Sequence, residues 1–456
     1  MSPDRDARPD AGAEESLRDT LSARMQRLYP LCRSITGDGV RRTLDFLAED
    51  LPLERRAVPS GTHVFDWTVP DEWNLREAWI EGPDGRRVVD VADHTLHVMS
   101  YSEPVRARLS RAELAEHVHT LPEHPGWIPY RTSYYRRAWA FCMEHDRWQG
   151  LTDGAYDVCV NSTLEPGELV YGECFLPGLS EQEILFSTHV CHPSMANDNL
   201  SGIVLQTELF RWLARRPRRF SYRAVFVPGT IGSLCWLSRN RDGLSRIRAG
   251  LVITGVGGPG ALVYKRSRRG NTATDRAMRQ VLEDAGVPHE VRPFDPYGYD
   301  ERQYCSPGID LPVGRLTRTP HGEYPEYHTS ADDLGFVDPA RIEDALDCCR
   351  RFVEHLEAES WPVSRAPYGE PQLGRRGLFD SVGGSAPKDS VMAMLWVMSL
   401  ADGEHSLRDL VEASGLSRSA IEAACARLED AGLLSLDGGF VEPIAGGAQR
   451  REDTIA

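Results

Sequence analysis

The stretch STHVCHPSMANDNLSG, running from Ser187 to Gly202, places His189, Cys191, His192 and Asp198 between an apolar run and a Ser-Gly helix opening. Much later, PEYHTSADDL brings His328 beside Glu326, Asp332 and Asp333. Imidazoles and carboxylates are the groups that hold a catalytic zinc, three protein ligands leaving a fourth position for water. Each piece also has a plainer reading. Asp198 could cap the helix that follows it, His189 could be a core histidine ending a strand, and His328 could be an idle loop residue. Residue chemistry alone leaves the two readings balanced.

The elements that must carry these residues follow from pattern. A chain of 456 residues has room for two to three domains. The first residues, 1–16, are rich in Pro, Asp and Ala and are expected to be disordered. A helix is expected from Leu17, and Val40, Leu44 and Leu47 mark one face of a second. Residues 64–164 read as short strands and turns, with Trp67, Trp73, Trp79, Trp127, Tyr134, Tyr135, Trp139 and Trp148 forming an aromatic core. On either side, 17–63 and 165–360 make an α/β domain. EILFSTHV, YRAVFVPG, AGLVITGVGG and LPVGRLTR are its strands, alternating with helices in the manner of a largely parallel sheet. Ligands of such sheets lie beyond the carboxyl ends of the strands, where the residues above fall. A Pro/Gly-rich linker, 361–387, leads to a winged-helix pattern over 388–445.

Charge excludes some functions. A net −16 argues against gripping phosphate backbones or anionic membranes. Residues 388–445 carry four Lys/Arg against ten Asp/Glu, so docking or homo-oligomer formation is expected of that unit rather than nucleic-acid binding. Ten irregularly spaced cysteines without a CxxC suggest a reduced, cytoplasmic chain. VMAMLWVMSLA is too short to cross a bilayer. The basic runs ARRPRRF and YKRSRRG read as solvated loops, and GVGGPG lacks the spacing of a dinucleotide site.

The strings STHVCHPSMANDNLSG, PEYHTSADDL, CRSITGDGVRRTL and YDERQYCSPGIDLPVGRL resemble the bacterial aminopeptidase-like proteins, from about Leu28 to Gly439. In that family a β-rich domain is inserted into a phosphorylase/hydrolase-like aminopeptidase domain with a mixed sheet, and a winged helix follows. Wider relatives are zinc exopeptidases of the bacterial leucyl aminopeptidase type, glutaminyl cyclases and the metal-free transferrin receptor ectodomain. The resemblance implies one zinc held by His192, Asp198 and His328. His189 is the alternative to His192, only one of the two being expected to face the metal. It implies a small peptide or aminoacyl substrate, whose ammonium needs acceptors: Asp300 and Glu301, with Glu323 and Glu326, are the acidic candidates, and Arg302 is placed to steady a carbonyl or carboxylate. A surface salt-bridge cluster is the plainer reading of Asp300, Glu301 and Arg302.

The chain departs from the family pattern twice. VPGTIGS has Gly229 where the family places the glutamate that shuttles protons, and LVITGVGG ends on Gly258 where relatives tend to carry an acid. Losing a general base costs about 10²- to 10⁴-fold in rate. Three readings follow: a hydrolase in which Glu326 or Glu323 has taken over, a different reaction on a small amine metabolite, or a non-catalytic binding or assembly protein. The first is the one expected here.

Overall fold

A computed structural model describes residues 11–378 and 389–436, with side chains from residue 17. The chain divides into two compact units, Met1–Leu179 with Glu183–Val353, and Ser180–Gln182 with Glu354–Ala456.

The first unit opens with helices α1 (Ala11–Leu28) and α2 (Asp38–Ala48). Residues 11–16 are thus helical rather than disordered, while 1–10 lie outside the described residues. The expected apolar face of α2 is buried through Val40, Leu44 and Leu47, each 0% exposed. Strand β1 (Leu53–Pro59) follows and belongs to the main sheet. Between 72 and 165 lies a separate antiparallel sheet of β2 (Glu72–Glu81), β3 (Arg87–Asp90), β4 (Val105–Ser110) and β5 (Ala155–Glu165), in the order β3-β2-β5-β4. Its aromatics are only partly core. Trp73 is buried, stacks on Tyr101 and donates its indole N–H to Ser102 O at 2.9 Å. Trp67 and Tyr135 are exposed and pack on each other.

The chain then returns to the main sheet with β6 (Glu168–Leu176), β7 (Glu183–His189), β8 (Ser221–Val227), β9 (Ile247–Ile253), β10 (Leu262–Lys265), β11 (His289–Arg292) and β12 (Val313–Arg318). The order is β1-β6-β8-β7-β9-β12-β10-β11. The four strands read from the sequence, β8, β7, β9 and β12, run parallel at the centre, and antiparallel pairings flank them. Every residue of β7 is buried, as a central strand covered on both faces requires. Helices α3 (Gly202–Ala214), α4 (Ile231–Arg239), α5 (Ala273–Ala285), α6 (Glu301–Tyr304) and α7 (Pro339–Ala358) alternate with these strands. Part of the run YKRSRRG is not a solvated loop: Tyr264 and Lys265 end β10 and are buried.

In the second unit, α8 (Asp389–Leu400), α9 (Leu407–Ser414) and α10 (Arg418–Asp430) pack around Met394, Leu410, Ile421 and Leu428. Ser406 caps α9 reciprocally with Asp409, and Ser417 caps α10. Val363–Ser364 pairs with Leu434–Ser435, so the expected linker begins as a strand of this unit. Residues 379–387 of that linker and 437–445 of the expected winged helix lie outside the described residues. None of the described helices is long and apolar enough to cross a membrane.

Candidate metal centre

His189 is the last residue of β7. The chain then leaves the sheet, and the alternation that would send His189 and His192 to opposite sides no longer applies. Both imidazoles turn to Asp198, their rings 4.8 Å apart and nearly perpendicular. Both rings therefore reach the Asp198 carboxylate, where the sequence placed them on opposite sides of the strand end. His189 Nε2 lies 2.8 Å from Asp198 Oδ1. His192 Nδ1 lies 3.6 Å from Oδ2, and His328 Nε2 lies 3.1 Å from the same oxygen. Asp198 is 0% exposed. Its carboxylate meets three imidazoles and does not cap the helix.

The turn bearing Asp198 is fixed from several sides. Asp332 accepts the backbone N–H of Asn197 at 2.6 Å and of Asp198 at 2.9 Å through its two oxygens. The Asn197 side chain accepts from Gly257 N and Gly258 N at 2.9 and 3.0 Å. Asn199 donates to Thr188 Oγ1 and His189 O and accepts from Gly255 N. The GVGG string is thus an amide cradle for the NDN turn. A methyl group on Gly258 would meet Asn197 Nδ2 at 3.3 Å and Phe336 at 3.4 Å, so a side chain there would press on the Asn197 amide that the cradle holds. Arg33, from CRSITG, is fully buried and donates its Nε–H to His192 O at 2.8 Å.

His328 comes from the other end of the sequence, and the inserted segment holds it. Its backbone sits in the left-handed region at φ 57°, unusual for a residue with a side chain and a recurrent feature of functional sites. Tyr130 N donates to His328 O at 2.9 Å, and Ile128 and Ser330 exchange two more hydrogen bonds. Tyr130 sets its ring edge-on to both His192 and His328, at 5.4 and 5.1 Å between centroids. Beside these rings opens a cavity of ≈ 330 Å³. Tyr130, Arg131, Thr132 and Tyr134 of the inserted segment form one wall, and His192, Gly229 and His328 line the rest.

Burial drives the His192 imidazole well below its ordinary pKa, against the pull of Asp198, and so keeps it neutral. Burial alone would raise Asp198, but His192 and His189 hold it well below the carboxylate range. A neutral imidazole and an ionised carboxylate are the states a metal requires of its ligands. Two buried nitrogens, His189 Nδ1 and His192 Nδ1, have no hydrogen-bond partner among the described residues. The donor atoms of His189, His192 and Asp198 all lie within 4.8 Å of one another. The residues present therefore fit a divalent cation. Cys191 does not join them: burial pushes its thiol up to about 12, and it faces Gly229 O.

The other candidates separate. Glu323 is held at the surface by Arg292, one contact being 3.0 Å. Glu326 is half-buried ahead of His328, its carbonyl accepting from Thr329, and neither glutamate lines the cavity. Glu301 is not at hand for a substrate and is not a surface residue. It is 0% exposed, 2.8 Å from Lys265 and 3.3 Å from Arg315. Lys265 also donates to Asp295 O and Tyr297 O, so this buried ionic cluster pins the loop before α6. Arg302 reaches Thr230 Oγ1 at 3.4 Å, on the Gly229 loop. Asp300 is buried, and burial raises its carboxyl to about 6 against the pull of His189. Asp332, which sequence reasoning placed only beside His328, is the residue it missed. Its signal was the paired acids of ADDL, whose role shows only once the NDN turn is folded against them.

Residues 23–359 match the family described as a domain of unknown function, DUF4910, and residues 361–436 match a winged helix-turn-helix. A Clostridium acetobutylicum protein is 43% identical over 90% of this chain and 95% of its own length. Its name assigns it provisionally to polysaccharide biosynthesis and gives it an aminopeptidase-like domain. A crystal structure from that organism, described provisionally as a peptidase, is 41% identical over 93% of this chain and 98% of its own, with a TM-score of 0.77. The zinc aminopeptidase BSAP of Bacillus subtilis shares the fold, with a TM-score of 0.55 at 13% identity over 77% of this chain and 96% of its own. An aminopeptidase fold with a Tyr130-bearing insertion, followed by a winged helix, places this chain in the aminopeptidase-like DUF4910 family.

Proposed function

We propose that the protein is a zinc-dependent amide hydrolase of the aminopeptidase type. The observation that carries the reading is the convergence on Asp198 Oδ2 of His192 and His328, two imidazoles that line the cavity. His192, Asp198 and His328 would hold one ion. His189, on the opposite carboxylate oxygen and 3% exposed, would orient Asp198 as outer-shell partners do. Zinc in such a site polarises the scissile carbonyl and acidifies water. The chain's own residues do the rest. Tyr130 and Tyr134 line the cavity a substrate would enter, and Arg302 braces the Gly229 loop through Thr230. The relative's provisional link to polysaccharide biosynthesis supports an aminoacyl or peptide-like amide on a biosynthetic intermediate as substrate.

Gly229 is the observation that favours the rival, a binding or assembly protein that has kept the fold. The two separate in an assay of zinc-loaded protein on a panel of aminoacyl anilides. We expect turnover that a chelator abolishes and added zinc restores. Protein with a full complement of zinc that cleaves no amide would establish the rival.

A further inference from the structure

Gly229 lines the cavity next to His192. A methyl group built on it would lie 3.3 Å from Asp300 Oδ2, 3.5 Å from Oδ1 and 3.3 Å from the His189 Cβ. The Asp300 carboxylate therefore borders the volume that a side chain at 229 would enter. Its attachment to that loop is direct. Ser233 Oγ donates to Asp300 Oδ1 at 3.1 Å and is itself 2.7 Å from Thr230 O. Arg302, two residues on, reaches the Thr230 hydroxyl. Of the other acids considered, Glu323 is paired with Arg292 and Glu301 with Lys265.

We propose that Asp300 is the proton acceptor of this site, supplying from the loop before α6 the carboxylate that position 229 lacks. The proposal rests on the hydrolase reading above. In the first step Asp300 takes one proton from the attacking water as the water oxygen bonds to the carbonyl carbon and the carbonyl π pair moves to oxygen. In the second that pair re-forms the carbonyl and the C–N bond breaks. Its electrons go to nitrogen, to which Asp300 delivers the proton. The products are a carboxylic acid and an amine, and Asp300 is again a carboxylate.

Asp300→Asn keeps the shape of the side chain and its acceptor for Ser233. Full-length, zinc-loaded variant should lose about 10²- to 10⁴-fold in kcat, with KM within a few-fold of the parent and zinc still at one per chain by elemental analysis. A rise in KM at unchanged kcat would make Asp300 an ammonium acceptor and overturn the proposal. Loss of zinc would make it part of the metal site and also overturn it. A combined Gly229→Glu, Asp300→Ala chain regaining at least about tenfold over Asp300→Ala would show that a carboxylate, whichever side it enters from, is what the site needs. Wild-type turnover with an unimpaired Asp300→Asn kcat sinks this proposal alone. A zinc-replete wild type without turnover sinks it together with the hydrolase reading.

Discussion

Asp198→Asn is expected to abolish stoichiometric metal binding while leaving a folded chain. The amide can keep the contact with His189 Nε2 and leaves the backbone N–H to Asp332 in place. It removes the negative charge that three imidazoles surround. An ion held by the remaining neutral groups would keep its full charge in a buried site, which is costly without a counter-charge. Elemental analysis should fall from one zinc per chain to a trace. Losing the several kcal/mol that a metal contributes to charge stabilisation corresponds to about 10³-fold or more in kcat/KM, at roughly 1.4 kcal/mol per decade. Zinc content equal to the parent's would mean that the ion is held elsewhere.

The second large effect is on stability. Glu301→Gln leaves Lys265 and Arg315, each only 3% exposed in the side chain, without their shared carboxylate. Breaking a buried ion pair from one side costs about 3–5 kcal/mol, far above the ~0.5 kcal/mol of an ordinary surface substitution. Lys265 retains two backbone acceptors, Asp295 O and Tyr297 O, which places the expectation at the lower end of that range. Denaturant unfolding of the first unit should show it directly. Adding Lys265→Met should recover part of the loss, because it removes one of the two buried cations left without a carboxylate. A Glu301→Gln protein as stable as its parent would mean that the cluster carries no weight.

How much of this was legible in the sequence differs by element. The four central strands announced themselves because a strand covered on both faces must be apolar throughout, as Ile184, Leu185 and Phe186 are. The flanking strands did not: β1 reads LERRAVP and β11 HEVR, charged because they lie at sheet margins. His192, Asp198 and His328 were legible as residue types and as strings. The inward turn of both His189 and His192 was not, because it depends on where the strand stops. Glu301 read as an acceptor for a substrate ammonium or a surface ion-pair residue, because its partner could not be seen: Lys265 sits in a basic run that reads as exposed and is buried on β10, which pairs with β12. The Tyr130 clamp on His328 joins residues 198 positions apart, a contact no local pattern announces.

The most direct test is zinc-edge anomalous diffraction from crystals grown with zinc. The expected result is a single peak within about 2.0–2.2 Å of a His192 nitrogen, an Asp198 oxygen and a His328 nitrogen, opening onto the Tyr130 cavity. A zinc-replete crystal with no peak between these three side chains would contradict it.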